Sequence, residues 1–439
     1  MSHLKSIRKV VKLMSGEKKD LNLHFTPALQ KATQLNFEKG EGPYLYTTDG
    51  EKYLDFVQGI AVNALGHCHP KIVNAIEEQA KKLIHGSFNL GYYPSALNLA
   101  DKLAELTPGD LNMFFFSNSG AEAVEGSLKL ARYRTGKKAF LAFRGSFHGR
   151  TFGATSMTSS TVSFRKKYEP LLPGIYHVPY PYCYRCPYGQ HVETCSLECL
   201  EEINTAFHYL VPPDEVAMAL FEPVQGEGGY IVPPNKYVHA LAELCNKNNI
   251  LLAFDEIQTG FGRTGHMFAA EHFNIIPDIL VLGKAIAGGM PLSAVVSNEG
   301  LMKDWAPGAH GGTFGANPIS CAAAVASLQA IKEEQVLDNC RNNGSYFIDK
   351  LKELQNKFGF IGDVRGLGLM LAVELVDAKG NPDADLNKRV NNYCREKGLL
   401  LLPCGTFKNC IRFIAPLNVS RPVIDEALQI FEHALANAS

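Results

Sequence analysis

Short apolar runs and longer amphipathic stretches alternate through the middle of the chain. NMFFFSNS, KKAFLAFRG, VAMALFEP, ILLAFDE, DILVLGK and PLSAVVS each hold an apolar run of strand length. Between them, EAVEGSLKLARYR and KYVHALAELCNKN repeat apolar residues at helical spacing. This alternation predicts an α/β unit with a mainly parallel central sheet over roughly residues 63–326. The rest reads differently. SLQAIKEEQVLDNCRNNGSYFIDKLKEL is a long helical stretch, strands follow near LGLMLAVEL, and VIDEALQIFEHALA is a final helix. The strand-like YLYTTDGEKYLDF near the start is expected to join them. The pattern therefore predicts a large domain over 63–326 and a smaller α+β domain built from segments 1–62 and 327–439.

Composition narrows the function classes. A length of 439 residues exceeds one small core. The formal net charge of -1 gives no global attraction to nucleic acid or to a membrane surface, and no apolar run is long enough to span a bilayer. The first twenty residues are basic and lack a continuous apolar stretch, so they read as a helical arm and not a secretory signal. Eleven cysteines in a chain of this size do not form a disulfide scaffold. A cytoplasmic protein is expected.

Three segments carry candidate chemistry. In FFFSNSGAEAVEG a strand ends and a helix begins just after Ser119-Gly120, where free N–H groups suit a phosphate. The same Ser-x-x-Glu spacing is also that of a capping box. In LLAFDEIQTG, Asp255 closes a buried strand, where α/β sheets place ligand groups; a helix cap or structural ion pair explains it as well. In DILVLGKAIAGG, Lys284 follows an apolar strand, and desolvation there frees a neutral amine for Schiff-base chemistry. Read alone, Lys284 is also compatible with a surface or capping role. Together the three supply a phosphate cradle, a carboxylate and an amine, the fixtures that pyridoxal 5'-phosphate requires.

The ordered set SNSGAEA, SFHGRT, FEPVQGEGG, FDEIQTGFGRTG, LGKAIAGGMP and GGTFGANP resembles the class III (ω-amino acid) aminotransferases, of PLP-dependent transferase fold type I. The resemblance runs from GPYLYTTDGEKYLDFVQGIA to DVRGLGLMLAVEL and IRFIAPL. Within the class, Ile60, HGRT, EPVQGEGG and Arg412 are most similar to 4-aminobutyrate aminotransferases; acetylornithine and ornithine aminotransferases are near relatives. The resemblance implies that Lys284 carries the cofactor as a Schiff base and that Asp255 pairs with its ring nitrogen. It places Gln258 near the ring hydroxyl, Phe147 on the ring with His148 and Gly149 beside it, and Glu222 around the cofactor. It gives the phosphate to Ser119, Gly120 and Ala121, completed by Thr313 from a partner subunit, and so implies a homodimer.

The resemblance also implies the substrate groups, with Ile60 among them. Arg150 takes the carboxylate far from the reacting amine, and Arg412 takes the α-carboxylate of 2-oxoglutarate or glutamate. Glu227 covers Arg412 when an ω-amino acid is bound, because an uncovered guanidinium attracts the wrong carboxylate. Arg412 as a purely structural ion-pair partner stays open. The implied reaction moves an amino group from an ω-amino acid such as 4-aminobutyrate to a 2-oxo acid, 2-oxoglutarate or pyruvate. An amino-acid racemase or epimerase using the same lysine and cofactor is the alternative. A binding or regulatory module is disfavoured, because Lys284 and Asp255 are both present.

One segment departs from the family pattern. CYRCPYGQHVETCSLEC sets Cys183, Cys186, Cys195 and Cys199 at C-x-x-C, eight residues, then C-x-x-x-C. That spacing suits zinc or an iron–sulfur cluster, and equally a compact loop of packed thiols. Mammalian 4-aminobutyrate enzymes build an iron–sulfur cluster on cysteines ahead of the HGR motif. Here the cysteines follow it, so that assignment does not transfer, and no metal is assigned from the sequence.

Overall fold

The computed structural model describes residues 24–438. The basic arm expected over the first twenty residues lies outside them. A seven-stranded sheet forms the centre, in the order Met113–Ser117, Ser293–Ser297, Ile279–Leu282, Leu251–Asp255, Val216–Phe221, Ala139–Phe143 and Ile175–Val178. From Ile279–Leu282 outward to Ile175–Val178 the strands pair in parallel. Ser293–Ser297 pairs antiparallel with both of its neighbours, so every other strand points the same way. The expected mainly parallel α/β architecture is present. Val216–Phe221 is buried along its whole length, as a central strand covered on both faces must be.

Two four-stranded sheets flank this centre. One joins Phe37–Glu41, Tyr44–Thr47 and Lys52–Asp55 to the late strand Leu399–Leu400, with Leu399 opposite Leu54. The two ends of the chain thus share a sheet. The other is antiparallel and orders Ile361–Leu367, Met370–Leu375, Cys410–Phe413 and Leu402–Cys404.

The long helical stretch expected from 327 is two helices. Pro318–Glu333 ends and Val336–Lys357 begins across Gln335, whose φ of 52° turns the chain left-handed. The first helix is buried nearly all round, while the second buries one stripe, including Val336, Cys340, Phe347 and Leu351. The turn lets each present its own apolar surface to the core. Residues 326 and 327 are neighbours within the first helix.

Arg263 ties the central unit to the C-terminal part. It is fully buried, and its Nη1 donates to the carbonyls of Leu369 at 3.2 Å and Ala415 at 2.5 Å. Gly368 makes this approach possible, since a Cβ there would meet the Thr264 carbonyl carbon at 2.5 Å. Among the described residues, no helix is long and apolar enough to cross a membrane.

Candidate active site

The C-terminal ends of the parallel strands line one edge of the central sheet, the usual ligand edge of such a sheet. Ser119-Gly120, Phe147, Glu222, Asp255 and Lys284 all lie on or just beyond those ends. The helix Gly120–Thr135 starts there with Ser119 as its N-cap, and the capping box is formed. Ser119 Oγ accepts from the Glu122 N–H at 3.3 Å, and Glu122 Oε2 accepts from the Ser119 N–H at 2.8 Å. Both roles of the Ser-x-x-Glu spacing are therefore compatible. The box occupies Ser119, while the N–H groups of Gly120 and Ala121 belong to the first turn, where no helical carbonyl can reach them.

Glycine brings these segments together. A Cβ on Gly120 would lie 2.8 Å from Ile257 Cδ1, and one on Gly283 would lie 3.3 Å from Ile257 Cγ2 and 3.6 Å from Gly120 Cα. Ile257 is wedged between the helix start and the residue before Lys284, so any side chain at either glycine would push the cradle and the amine apart. Ser293 Oγ adds a hydrogen bond to the Ser119 carbonyl at 2.8 Å.

The acid–base groups form one buried network. His148 Nδ1 is 2.6 Å from Asp255 Oδ2, and Ile257 N–H donates to Asp255 Oδ1 at 3.1 Å. Burial alone would pull the His148 pKa down, but its bond to Asp255 and the charges of Asp255 and Glu222 prevail, and it is raised. Its Nε2 is buried without a partner. Glu222 accepts from the N–H of Phe147 at 2.8 Å and of Gly226 at 2.7 Å. Burial and the nearby Asp255 charge still push its carboxyl up to about 7, against the opposing pull of His148 and those two donors.

Lys284 is half-buried at the start of a short 3-10 turn, with φ at 45°, a left-handed conformation unusual for lysine. Burial and the Arg412 charge lower its amine to about 8, although Asp255, Glu222 and Glu227 act the other way. The lysine thus lies within electrostatic reach of both the strand-end carboxylates and the arginine on Cys410–Phe413.

Arg412 is buried and faces Glu227, with Nη1 2.9 Å from Glu227 Oε2. Arg412 Nε is buried without a partner of its own. Burial opposes the charge on Arg412, but Glu227 outweighs it and raises the guanidinium pKa further. Arg150 is exposed, its guanidinium carbon 3.7 Å from the Phe164 ring centre and 5.7 Å from that of Phe147. Ile60 is 42% exposed within a left-handed turn, Gln58 to Ala61, where all four residues have positive φ. Such a turn costs roughly 1–2 kcal/mol per non-glycine residue. Asp55 offsets it by accepting from the N–H groups of Val57 and Gln58 and contacting His67 Nε2 at 2.7 Å.

Thr313 is not brought to these groups within its own chain. It lies in the exposed loop before Pro318–Glu333. Gln258 accepts from the hydroxyl of Tyr230 at 2.7 Å. Tyr230 was not foreseen from the sequence: it is buried, has φ of 55°, and lies within electrostatic reach of Arg412. No local pattern marks it except its place at the end of EPVQGEGG.

The model of the aminotransferase class-III family matches residues 26–435. The chain belongs to that family. It is therefore a pyridoxal-phosphate-dependent transaminase. It is 41% identical over 400 residues to a probable 4-aminobutyrate aminotransferase of Bacillus subtilis, covering 90% of this chain and 92% of that protein. It is 38% identical over 403 residues to an alanine/serine racemase of Pyrococcus horikoshii, covering 91% and 85%. An (S)-enantioselective ω-transaminase from Thermomicrobium roseum superposes with a TM-score of 0.89 at 31% identity, covering 96% and 97%.

The residues present fit the cofactor. A strand-end carboxylate, an amine of lowered basicity, first-turn N–H groups and an unpartnered buried His148 Nε2 share one edge. One consequence is measurable. Only the neutral amine of Lys284 can attack a carbonyl. Capture of pyridoxal phosphate by the apoenzyme should therefore quicken about tenfold per pH unit below the lysine's pKa and level off above it. Rapid mixing across pH should give a midpoint near 8; a midpoint near 10.5, that of an ordinary lysine, would contradict the electrostatic reading.

Proposed function

We propose that the enzyme transfers the amino group of an ω-amino acid, such as 4-aminobutyrate, to a 2-oxo acid, with 2-oxoglutarate or pyruvate as acceptor. The observation that carries this reading is the Glu227–Arg412 pair. Arg412 is buried, while Glu227, its charge partner, is 30% exposed. An ion pair whose carboxylate is partly exposed can open when a substrate carboxylate replaces Glu227, and stays closed for a donor with no α-carboxylate. A transaminase that alternates between the two substrate shapes needs such a switch. A racemase acting on one α-amino acid does not.

Bound pyridoxal phosphate supplies the electron sink for breaking the substrate C–H bond. The protein supplies the rest. Lys284, kept partly neutral by burial and Arg412, takes and returns the proton. Asp255 holds a negative charge at the strand end, oriented by His148 and the Ile257 N–H. Gly120 and Ala121 offer N–H groups to the phosphate, next to Ser119. Phe147, Gln258 and Glu222 would help to hold the cofactor, Phe147 against its ring. Arg150 takes the distal carboxylate, with Ile60 at the substrate side. The exposed Thr313 loop supports a homodimer in which Thr313 completes the partner's phosphate site. Eleven free thiols support a reducing compartment, the cytoplasm.

Half-reactions followed by cofactor absorbance test the reading. 4-Aminobutyrate alone should convert the cofactor, and 2-oxoglutarate or pyruvate should restore it. Glu227→Ala should weaken discrimination against α-amino acids by about 1–3 kcal/mol, the scale of losing one partner of such a pair. If single-enantiomer α-amino acids are inverted rapidly without any 2-oxo acid while 4-aminobutyrate leaves the absorbance unchanged, the racemase reading replaces this one.

A further inference from the structure

The cysteine-rich segment serves none of the functions above, and its structure raises a question of stability. Between the strand Ile175–Val178 and the helix Glu198–Tyr209, residues 179–197 contain only one 3-10 turn, Cys183–Arg185. Segments this long without regular structure are uncommon, and something must hold them. Hydrophobic burial does little of this: no residue from 182 to 200 is fully buried, and Tyr182, Leu197, Cys199 and Leu200 pack only half-buried against the core. The base is fixed by polar contacts, with Tyr182 and Arg185 both reaching the buried Glu374. Farther out, Lys236 donates to the carbonyls of Val192 at 2.6 Å and Cys195 at 3.1 Å.

Cys183, Cys186, Cys195 and Cys199 line one small cavity of about 20 Å³, with Tyr180 and Val192 among its other walls. All four are free thiols. They come from two paired supports. Cys183 and Cys186 sit on the 3-10 turn and its end, closed by the Gly189 N–H donating to the Cys186 carbonyl at 3.1 Å. Cys195 ends a turn bonded to the His191 carbonyl at 2.8 Å, and Cys199 lies in the first turn of the next helix. We propose that these four cysteines bind a single structural zinc ion that holds the 183–199 segment together.

Ligand type and spacing select the ion. Four thiolates are a soft set that suits zinc or an iron–sulfur cluster. Two short-spaced cysteine pairs brought together by a turn and a helix start are the form of closed, four-coordinate structural sites. Among the described residues, no group of three or more His, Cys, Asp or Glu side chains already stands in metal-holding geometry. Ligation therefore draws the thiols inward from the cavity wall. The four cysteines are only half-buried, and metal binding of this kind adds folding free energy to a loop with little buried apolar surface.

The test uses the full chain, purified under reductant without chelator. Elemental analysis should find about one zinc per chain, as a closed tetrathiolate site requires. Cys186→Ser and Cys195→Ser should each lose it, whereas Cys68→Ser, an exposed cysteine elsewhere, should keep it. Because a cysteine variant can lose metal by unfolding, a second measurement uses the unaltered chain. After chelation it is titrated with Co²⁺, and visible bands of tetrahedral thiolate–cobalt should saturate at one equivalent. Less than about a tenth of an equivalent of zinc, together with no such bands, overturns the proposal in favour of packed thiols. Zinc retained by both serine variants overturns the ligand assignment, and stoichiometric iron in place of zinc overturns the identity of the ion.

Discussion

Lys284→Ala is expected to lower transamination by roughly three to four orders of magnitude, the upper range for removing a positioned acid–base group. The loss is double: the variant lacks both the amine that attaches the cofactor and the group that moves the substrate proton. It should still fold. Burial and Arg412 both oppose a charge at this site, and the left-handed φ of 45° is no easier for the lysine than for its replacement. A melting temperature equal to or above that of the parent protein should separate lost chemistry from lost structure. Lys284→Arg sharpens the test by keeping a cation of similar length that forms no Schiff base, so it should be equally inactive. A small primary amine added to the solution should partly restore Lys284→Ala, where space has opened, and not Lys284→Arg. Substantial activity in either variant without added amine removes Lys284 from its role.

Why this lysine stands out in the sequence and other residues do not is a matter of sequence distance. Lys284, Asp255 and Ser119 each follow their own apolar strand, so local pattern places them at strand ends, and parallel strands collect those ends on one edge. The central strands and their helices are legible for the same reason, since a strand covered on both faces shows a continuous apolar run. The antiparallel course of Ser293–Ser297 is not legible, because its alternation and composition are those of its parallel neighbours. Nor is the break at Gln335, where no glycine or proline marks the turn. The contacts that tune the site join residues far apart in the chain. His148 and Asp255 are 107 positions apart, and Tyr230 reaches Gln258 across 28. Arg412 and Glu227 are candidates only through family resemblance, and their ion pair is a property of folded geometry.

Asp255→Asn is expected to cost on the order of 10²–10³ in turnover, the range for removing one preorganised charge from a closed site. The substitution preserves size, so the strand Leu251–Asp255 and its neighbours should be undisturbed and cofactor binding retained. The hydrogen-bond pattern cannot be preserved. Both carboxylate oxygens now face donors, one from His148 at 2.6 Å and one from the Ile257 N–H at 3.1 Å. An amide has a single acceptor oxygen, so its NH₂ must meet one of those donors. The backbone N–H cannot change, whereas the imidazole can shift its proton to Nε2, and the amide is expected to settle by donating to His148 Nδ1. Two effects follow. The strand end loses the negative charge that would keep the cofactor ring nitrogen protonated. His148 loses the partner that raises its pKa and is left to the burial that lowers it. The variant should therefore show a reduced kcat with near-parental cofactor occupancy, together with a downward shift of the His148 titration followed by NMR. A lowered kcat with an unmoved His148 titration would mean that the pair seen in the structure does not persist in solution, and near-parental turnover would remove Asp255 from the mechanism altogether.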